Sequence, residues 1–226
     1  MRNFTDNKEY RAWNESMSQR FDPELFYACE NGFVRGLEEK RLRHTIRLLS
    51  YSPQERLLDV GCGSGKLEES LVPGKIVGID ISDYLLATAR QRIRWIVKAE
   101  GETLPFKEKS FDKVACTEVL EHVMAPARLL WEMARILKKD GAAVISIPNE
   151  SLINIAKKIY TVIFFWRKKS EGAYVIPEKM DDHWHLHSFS LKLFKKMSAD
   201  IFYIEKLKYL PNRFFPLRYV ARCRPK

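Results

Sequence analysis

Short apolar runs and stretches of helical spacing alternate along most of the chain. Leu57-Leu58-Asp59-Val60, Lys75 to Ile81, Trp95 to Ala99, Ser110 to Cys116 and Ala142 to Ile147 each read as a short buried strand. Between them, Lys66 to Leu71 has helical spacing, and a helix capped by Ser82 carries Leu85, Leu86, Ala89 and Ile93 on one face. Ala125 to Lys139 is predicted as a further helix, leading through an Asp140-Gly141 turn into the fifth strand. Helices are expected over the first 50 residues, with Pro23 at an early helical position. There Leu37, Leu42, Ile46 and Leu49 share a face, while Glu38, Glu39, Lys40, Arg41, Arg43 and Arg47 read as the solvated remainder. Ile201 to Leu210 and Leu217 to Cys223 read as the last two strands, and Arg213, Arg218, Arg222, Arg224 and Lys226 as surface.

The first of these runs ends in Gly61-Cys62-Gly63-Ser64-Gly65, a loop in which alternate glycines allow a sharp turn and close approach of a ligand. A strand, a glycine loop and a helix together predict a nucleotide-type site at the carboxyl end of a parallel strand. The spacing is G-x-G-x-G and not the dinucleotide G-x-G-x-x-G. Asp59, two residues before the first glycine, would repel a pyrophosphate and attract an ammonium group. An α-amino acid attached to a nucleoside meets that demand. The segment D-V-G-C-G-S-G resembles motif I of the class I S-adenosylmethionine-dependent methyltransferases. Asp80, at the end of the second strand, can accept both ribose hydroxyls of an adenosine, under this reading or under a nicotinamide one.

The resemblance continues in order, toward the group of menaquinone and ubiquinone biosynthesis (methyltransferase type 11). Glu100-Gly101-Glu102-Thr103-Leu104-Pro105-Phe106 is similar to that group's D-A-x-x-L-P-F, with Glu for Asp at position 100; Ser110-Phe111-Asp112-Lys113-Val114 is similar to S-F-D-x-V. Arg135 to Gly141 resembles R-x-L-K-P-G-G, and Phe189 to Met197 the F-S-x-x-x-L-x-x-L helix. The resemblance implies an α/β, Rossmann-like, seven-stranded and mostly parallel sheet with helices on both faces and an antiparallel last strand pair. It also implies S-adenosylmethionine as cofactor and S-adenosylhomocysteine as product. The cofactor-binding residues it points to are Asp59, Gly61, Cys62, Gly63, Gly65, Asp80, Ile81, Glu100, Gly101, Glu102, Thr117 and Glu118.

Thr117-Glu118-Val119-Leu120-Glu121-His122 carries a second signal. On a helix, Glu118, Glu121 and His122 would share one face. Some relatives use E-x-x-E-H with a downstream histidine to hold a divalent metal, which makes Glu118, Glu121, His122 and His187 the alternative metal set. The favoured expectation is no metal, with His122 and His187 as catalytic bases that take a proton from the acceptor. His183 and His185 lie in the same cluster, Asp181-Asp182-His183-Trp184-His185-Leu186-His187.

Composition narrows the class. At 46% hydrophobic and 30% charged, the 226 residues suit one globular domain and exclude a disordered chain. The expected division is a helical cap over 1–50, a cofactor-binding core over 51–150, a lid or substrate insertion over 151–187, and a terminal helix and strand pair over 188–226. Cys29, Cys62, Cys116 and Cys223 lack metal-type pairing, and no signal peptide or spanning run is present, so a cytoplasmic setting is expected. The formal charge of +10 favours an acidic partner. The apolar stretch Leu152 to Trp166, followed by Arg167-Lys168-Lys169, reads as an active-site lid; the alternative is a peripheral membrane contact through 152–169. The function expected is methyl transfer to a small-molecule or lipid-linked acceptor, at oxygen or carbon. The alternatives are a metal-assisted RNA 2′-O-methyltransferase and a non-catalytic, cofactor-binding partner subunit.

Overall fold

In the computed structural model, which describes residues 4–28, 31–164 and 184–226, a seven-stranded sheet forms the centre. The strands are β1 (Arg56–Val60), β2 (Lys75–Asp80), β3 (Trp95–Lys98), β4 (Phe111–Thr117), β5 (Leu137–Pro148), β6 (Phe202–Leu210) and β7 (Arg218–Pro225), in the order β3-β2-β1-β4-β5-β7-β6. β1 to β5 are parallel, and β7 pairs antiparallel with both β5 and β6, as expected from the sequence. The helices are α1 (Asn7–Arg20), α2 (Glu24–Tyr27), α3 (Gly32–Leu49), α4 (Asp83–Ala89), α5 (Pro126–Ile136), α6 (Glu150–Phe164) and α7 (Leu191–Ser198).

The two-residue period of the strands sorts their side chains into two cores. Leu58 and Val60 of β1, Val114 and Cys116 of β4, and Ile145 of β5 pack on one face with Leu129, Leu130 and Met133 of α5 and Phe194 of α7. Leu57, Ala115, Val144 and Val220 pack on the other with Leu48 and Leu49 of α3 and Leu86 and Ala89 of α4. A third cluster joins Tyr10 and Trp13 of α1 to Leu186, with Trp184 and Ile81 against it. It lies over the carboxyl ends of the parallel strands and roofs them.

Three local expectations are corrected. No α-helix follows the glycine loop; Glu68–Ser70 makes only a short 3-10 turn, because Pro73 and Gly74 follow at once. The Asp140-Gly141 turn is absorbed into β5 as a bulge, where the register against β4 jumps from Phe111↔Leu137 to Lys113↔Ala142. Two arginines read as surface turn inward, Arg222 buried and Arg218 with its side chain 11% exposed. Arg218 enters the site, and Arg222 donates to the carbonyls of Leu48 and Leu49, satisfying the end of α3. Among the described residues, no helix is long and apolar enough to cross a membrane. Cys29, Arg167, Lys168, Lys169, Asp181, Asp182 and His183 fall outside the described residues.

Candidate functional site

A cavity of about 220 Å³ opens at the carboxyl edge of β1, β2 and β4. Eleven of the residues singled out as cofactor-binding line it: Asp59, Gly61, Cys62, Gly63, Asp80, Ile81, Glu100, Gly101, Glu102, Thr117 and Glu118. Gly65 does not; it stands behind the loop, where a Cβ would lie 3.3 Å from Arg92 and Ile93 side chains. Gly61, Gly63 and Gly65 hold φ of 66°, 54° and 81°, the left-handed region that glycine enters without penalty. Gly61 is also closely packed, since any Cβ would overlap the Val119 side chain.

Asp80 braces the loop. Its Oδ2 accepts from the Gly63 N–H and its Oδ1 from the Ser82 N–H, both at 2.9 Å. Asp59, at the end of β1, is 2% exposed and touches Glu68 of the 3-10 turn, which is 7% exposed. Among the described residues, Asp59 Oδ1 and both Glu68 oxygens find no donor, so the two carboxyls bond to each other only through a shared proton. Burial, and then the charge each sees in the other, pushes the Asp59 carboxyl well above its ordinary range; burial pushes Glu68 up to about 7.

The roof and floor come from elements far apart in sequence. Tyr10, Asn14 and Ser18 of α1 line the cavity, and Arg11 Nε lies 2.6 Å from Glu100 Oε1. Glu102 Oε1 accepts from the Met124 and Ala125 N–H groups, pinning the approach to α5 while facing the cavity. Below, Glu38 and Arg41 of α3, read from the sequence as solvated, line the site, Glu38 buried and Arg41 mostly covered. Their partner Arg218 makes the burial tolerable: its Nη2 is 2.7 Å from Glu38 Oε1, and Arg41 Nη2 is 3.0 Å from Glu38 Oε2.

The E-x-x-E-H segment is a turn and not a helix, so its predicted shared face does not exist. Glu118 has a left-handed φ of 56°, and its N–H donates to the Ser146 carbonyl. Its carboxylate is taken by Ser146 Oγ at 2.8 Å and Arg218 Nη1 at 2.6 Å. His187 is also elsewhere, its Nε2 bonded to the Val123 carbonyl at 2.9 Å. The structure instead gathers Glu121, His122 and His185, which each bring one potential ligand atom within 4.8 Å of the others.

Both imidazoles in that group are held by their Nδ1 atoms. His185 Nδ1 is 2.8 Å from Glu150 Oε1 at the start of α6, with side chains only 5% and 1% exposed. His122 Nδ1 is 3.3 Å from the Trp184 carbonyl, so it donates there and leaves Nε2 unprotonated. Burial, with His185 beside it, holds His122 well below the usual histidine range. Glu121 moves the opposite way, far up, through burial and the nearby Glu118 charge. The sequence placed His185 in a histidine cluster but gave no sign of Glu150, whose partner lies 35 residues away.

Residues 58–145 match the family described as "Methyltransferase domain". Over 128 residues the chain is 32% identical to the ubiquinone biosynthesis O-methyltransferase of Xylella fastidiosa, covering 53% of this chain and 52% of that protein. It is 28% identical over 142 residues to the ubiquinone/menaquinone biosynthesis C-methyltransferase of Geotalea uraniireducens, covering 57% and 60%. The matches thus span about half the length of these curated relatives. In fold, the chain is similar to the magnesium protoporphyrin IX methyltransferase of Synechocystis with bound SAH, at a TM-score of 0.68 and 16% identity, covering 98% of this chain and 100% of that one.

Proposed function

We propose that this protein is a class I S-adenosylmethionine-dependent methyltransferase that transfers the cofactor's methyl group to a small-molecule or lipid-linked acceptor, at oxygen or carbon; the match of residues 58–145 to the methyltransferase domain family supports it. One observation carries the reading. A single cavity holds an acid for the ammonium (Asp59), a guanidinium for the carboxylate (Arg41), an acid for the ribose (Asp80) and Glu100-Gly101 for the adenine. On another part of the same lining are His122, Trp184 and His185, where an acceptor would meet the sulfonium methyl.

The reaction is an in-line displacement in which an acceptor lone pair attacks the methyl carbon and the sulfur leaves as a neutral thioether. A hydroxyl acceptor must also lose a proton. His185 suits that step: Glu150 fixes its Nδ1–H, and Nε2 is left to accept the proton. The dyad therefore favours oxygen over carbon, with His185 in the role expected of His122 and His187. The exposed Phe214 and Phe215, in the loop from β6 to β7 at the same sheet edge, suit an apolar or lipid-linked acceptor.

Calorimetric titration with S-adenosylhomocysteine tests the cofactor, and transfer from labelled S-adenosylmethionine to phenols and polyprenyl phenols tests the acceptor class. No binding of S-adenosylhomocysteine would sink the reading.

A second reading has its own support. Among the described residues Glu121 Oε2 is buried without a partner, and both imidazoles have their Nδ1 atoms on a carbonyl or carboxylate, the arrangement typical behind metal-bound histidines. Glu121, His122 and His185 would hold a divalent cation, which would supply polarisation of an acceptor oxygen. Thermal stability that rises with added magnesium or manganese and falls with EDTA would favour it.

A further inference from the structure

We propose that Asp59 and Glu68 together receive the cofactor's α-ammonium group, Asp59 touching it and Glu68 behind it, and that binding expels a proton the pair holds while the site is free. The proposal rests on the S-adenosylmethionine reading above. Nothing in the sequence pointed to Glu68, which lies in a stretch that reads as helix.

The geometry leaves little else for this pair. Two buried carboxyls in contact cannot both be ionised without a compensating cation, and the described residues commit none to them. The charged groups that face them are already engaged. Arg41, from α3, is paired with Glu38 through Nε and Nη2, and what remains of its guanidinium is the part assigned to the cofactor's carboxylate. Arg92, following α4, is paired with Glu24 and Glu69. Asp80, from β2, adds a further negative charge beside Asp59. The Cys62 thiol of the glycine loop is itself held neutral by burial and by these acids. With Asp59 on the cavity wall, the missing cation is one that a ligand brings. A protonated pair meets an ammonium, the ammonium stays, and the proton goes to solvent; charge balances without any protein cation moving. Glu68 stands near 7 in the free protein, so the exchange falls in the neutral range.

The experiment is calorimetric titration of the whole chain with S-adenosylhomocysteine in pairs of buffers of different ionisation enthalpy, which counts protons released. The expected result is release of a large fraction of one proton near pH 7. Affinity should weaken by up to about tenfold per pH unit below about pH 6. Methylthioadenosine, which has the nucleoside and thioether but no ammonium, should release almost none. Glu68→Gln should bind S-adenosylhomocysteine more weakly than wild type and release fewer protons on binding. Binding with no proton release, or equal release with methylthioadenosine, overturns the proposal and leaves the cofactor reading standing. No binding by the wild-type protein overturns both. The methylthioadenosine comparison needs no variant, so it decides the matter even if Glu68→Gln fails to fold.

Discussion

Glu118 and Arg218 meet 2.6 Å apart across the site, joining the end of β4 to the first residue of β7. Arg218 also reaches Glu38 of α3, so one guanidinium ties the N-terminal helices, the central strands and the last strand pair together at the cavity floor. Removing it leaves the buried Glu38 with Arg41 alone and the half-buried Glu118 with Ser146 alone. Arg218→Met is expected to cost about 3–5 kcal/mol in urea denaturation. Lowering the charge deficit with Glu118→Gln in the same chain should recover part of that loss. A cost for the single variant under about 1 kcal/mol would mean the pair is not holding these elements.

Gly61 is the tightest point of the loop, combining a φ of 66° with direct contact to Val119. Gly61→Ala adds left-handed strain of about 1–2 kcal/mol and forces Val119 out of place. Affinity for S-adenosylhomocysteine should drop by at least about tenfold while the protein stays folded. Gly65→Ala should act differently, since Gly65 does not line the cavity. Its loss should appear mainly in the melting temperature, because the added methyl presses on Arg92 and Ile93. Equal affinity losses in both variants would contradict this division.

His185 and Glu150 supply the third test. His185→Gln is expected to lower turnover of a hydroxyl acceptor by about 10²–10⁴-fold. Glu150→Gln preserves an oxygen for the Nδ1–H but removes the charge, so it should lower turnover less and shift the acid limb of the pH–rate profile. Both should leave S-adenosylhomocysteine affinity within about threefold of wild type. His187→Gln, at a ring bonded to backbone carbonyls, should leave the pH profile in place. A pH profile unchanged in His185→Gln would remove the base role.

The parts of this site that the sequence revealed are those written locally. A strand that ends in an acid and runs into alternating glycines fixes Asp59, Gly61 and Gly63 within seven residues, and Asp80 follows from the next strand by the same logic. The missed parts are pairings between distant segments. Glu38, Arg41 and Arg218 look like ordinary surface charges until α3 and β7 are packed on the sheet, where each supplies the other's counter-charge. Glu150 and His185 likewise meet only through the chain that separates them. The E-x-x-E-H segment misled for another reason. Its helical spacing is real, but Glu118 adopts a left-handed φ and is held by Ser146 and Arg218, and the helix begins only at Pro126.

The acid pair also fixes how stability should depend on pH. Glu68 stands at about 7 in the folded protein against an ordinary 4.5, so the folded chain binds this proton more tightly than the unfolded chain does. Its contribution is fully present below about pH 4.5 and is lost as the pH rises through about 7, by up to roughly 3 kcal/mol. Asp59 and Glu121, both pushed up by burial, act in the same direction. His122 acts in the opposite one: its folded value is depressed, so it costs stability as the pH falls below about 6.5. The free protein should therefore melt highest in mildly acidic solution and lose several degrees by about pH 8.5. Glu68→Gln should flatten that alkaline decline, and saturating S-adenosylhomocysteine should offset it, because an ammonium beside the pair stabilises its ionised form. Melting curves of the two proteins, with and without ligand at about pH 6 and pH 8.5, make the comparison; a decline of the same size in Glu68→Gln would show that the pair does not set it.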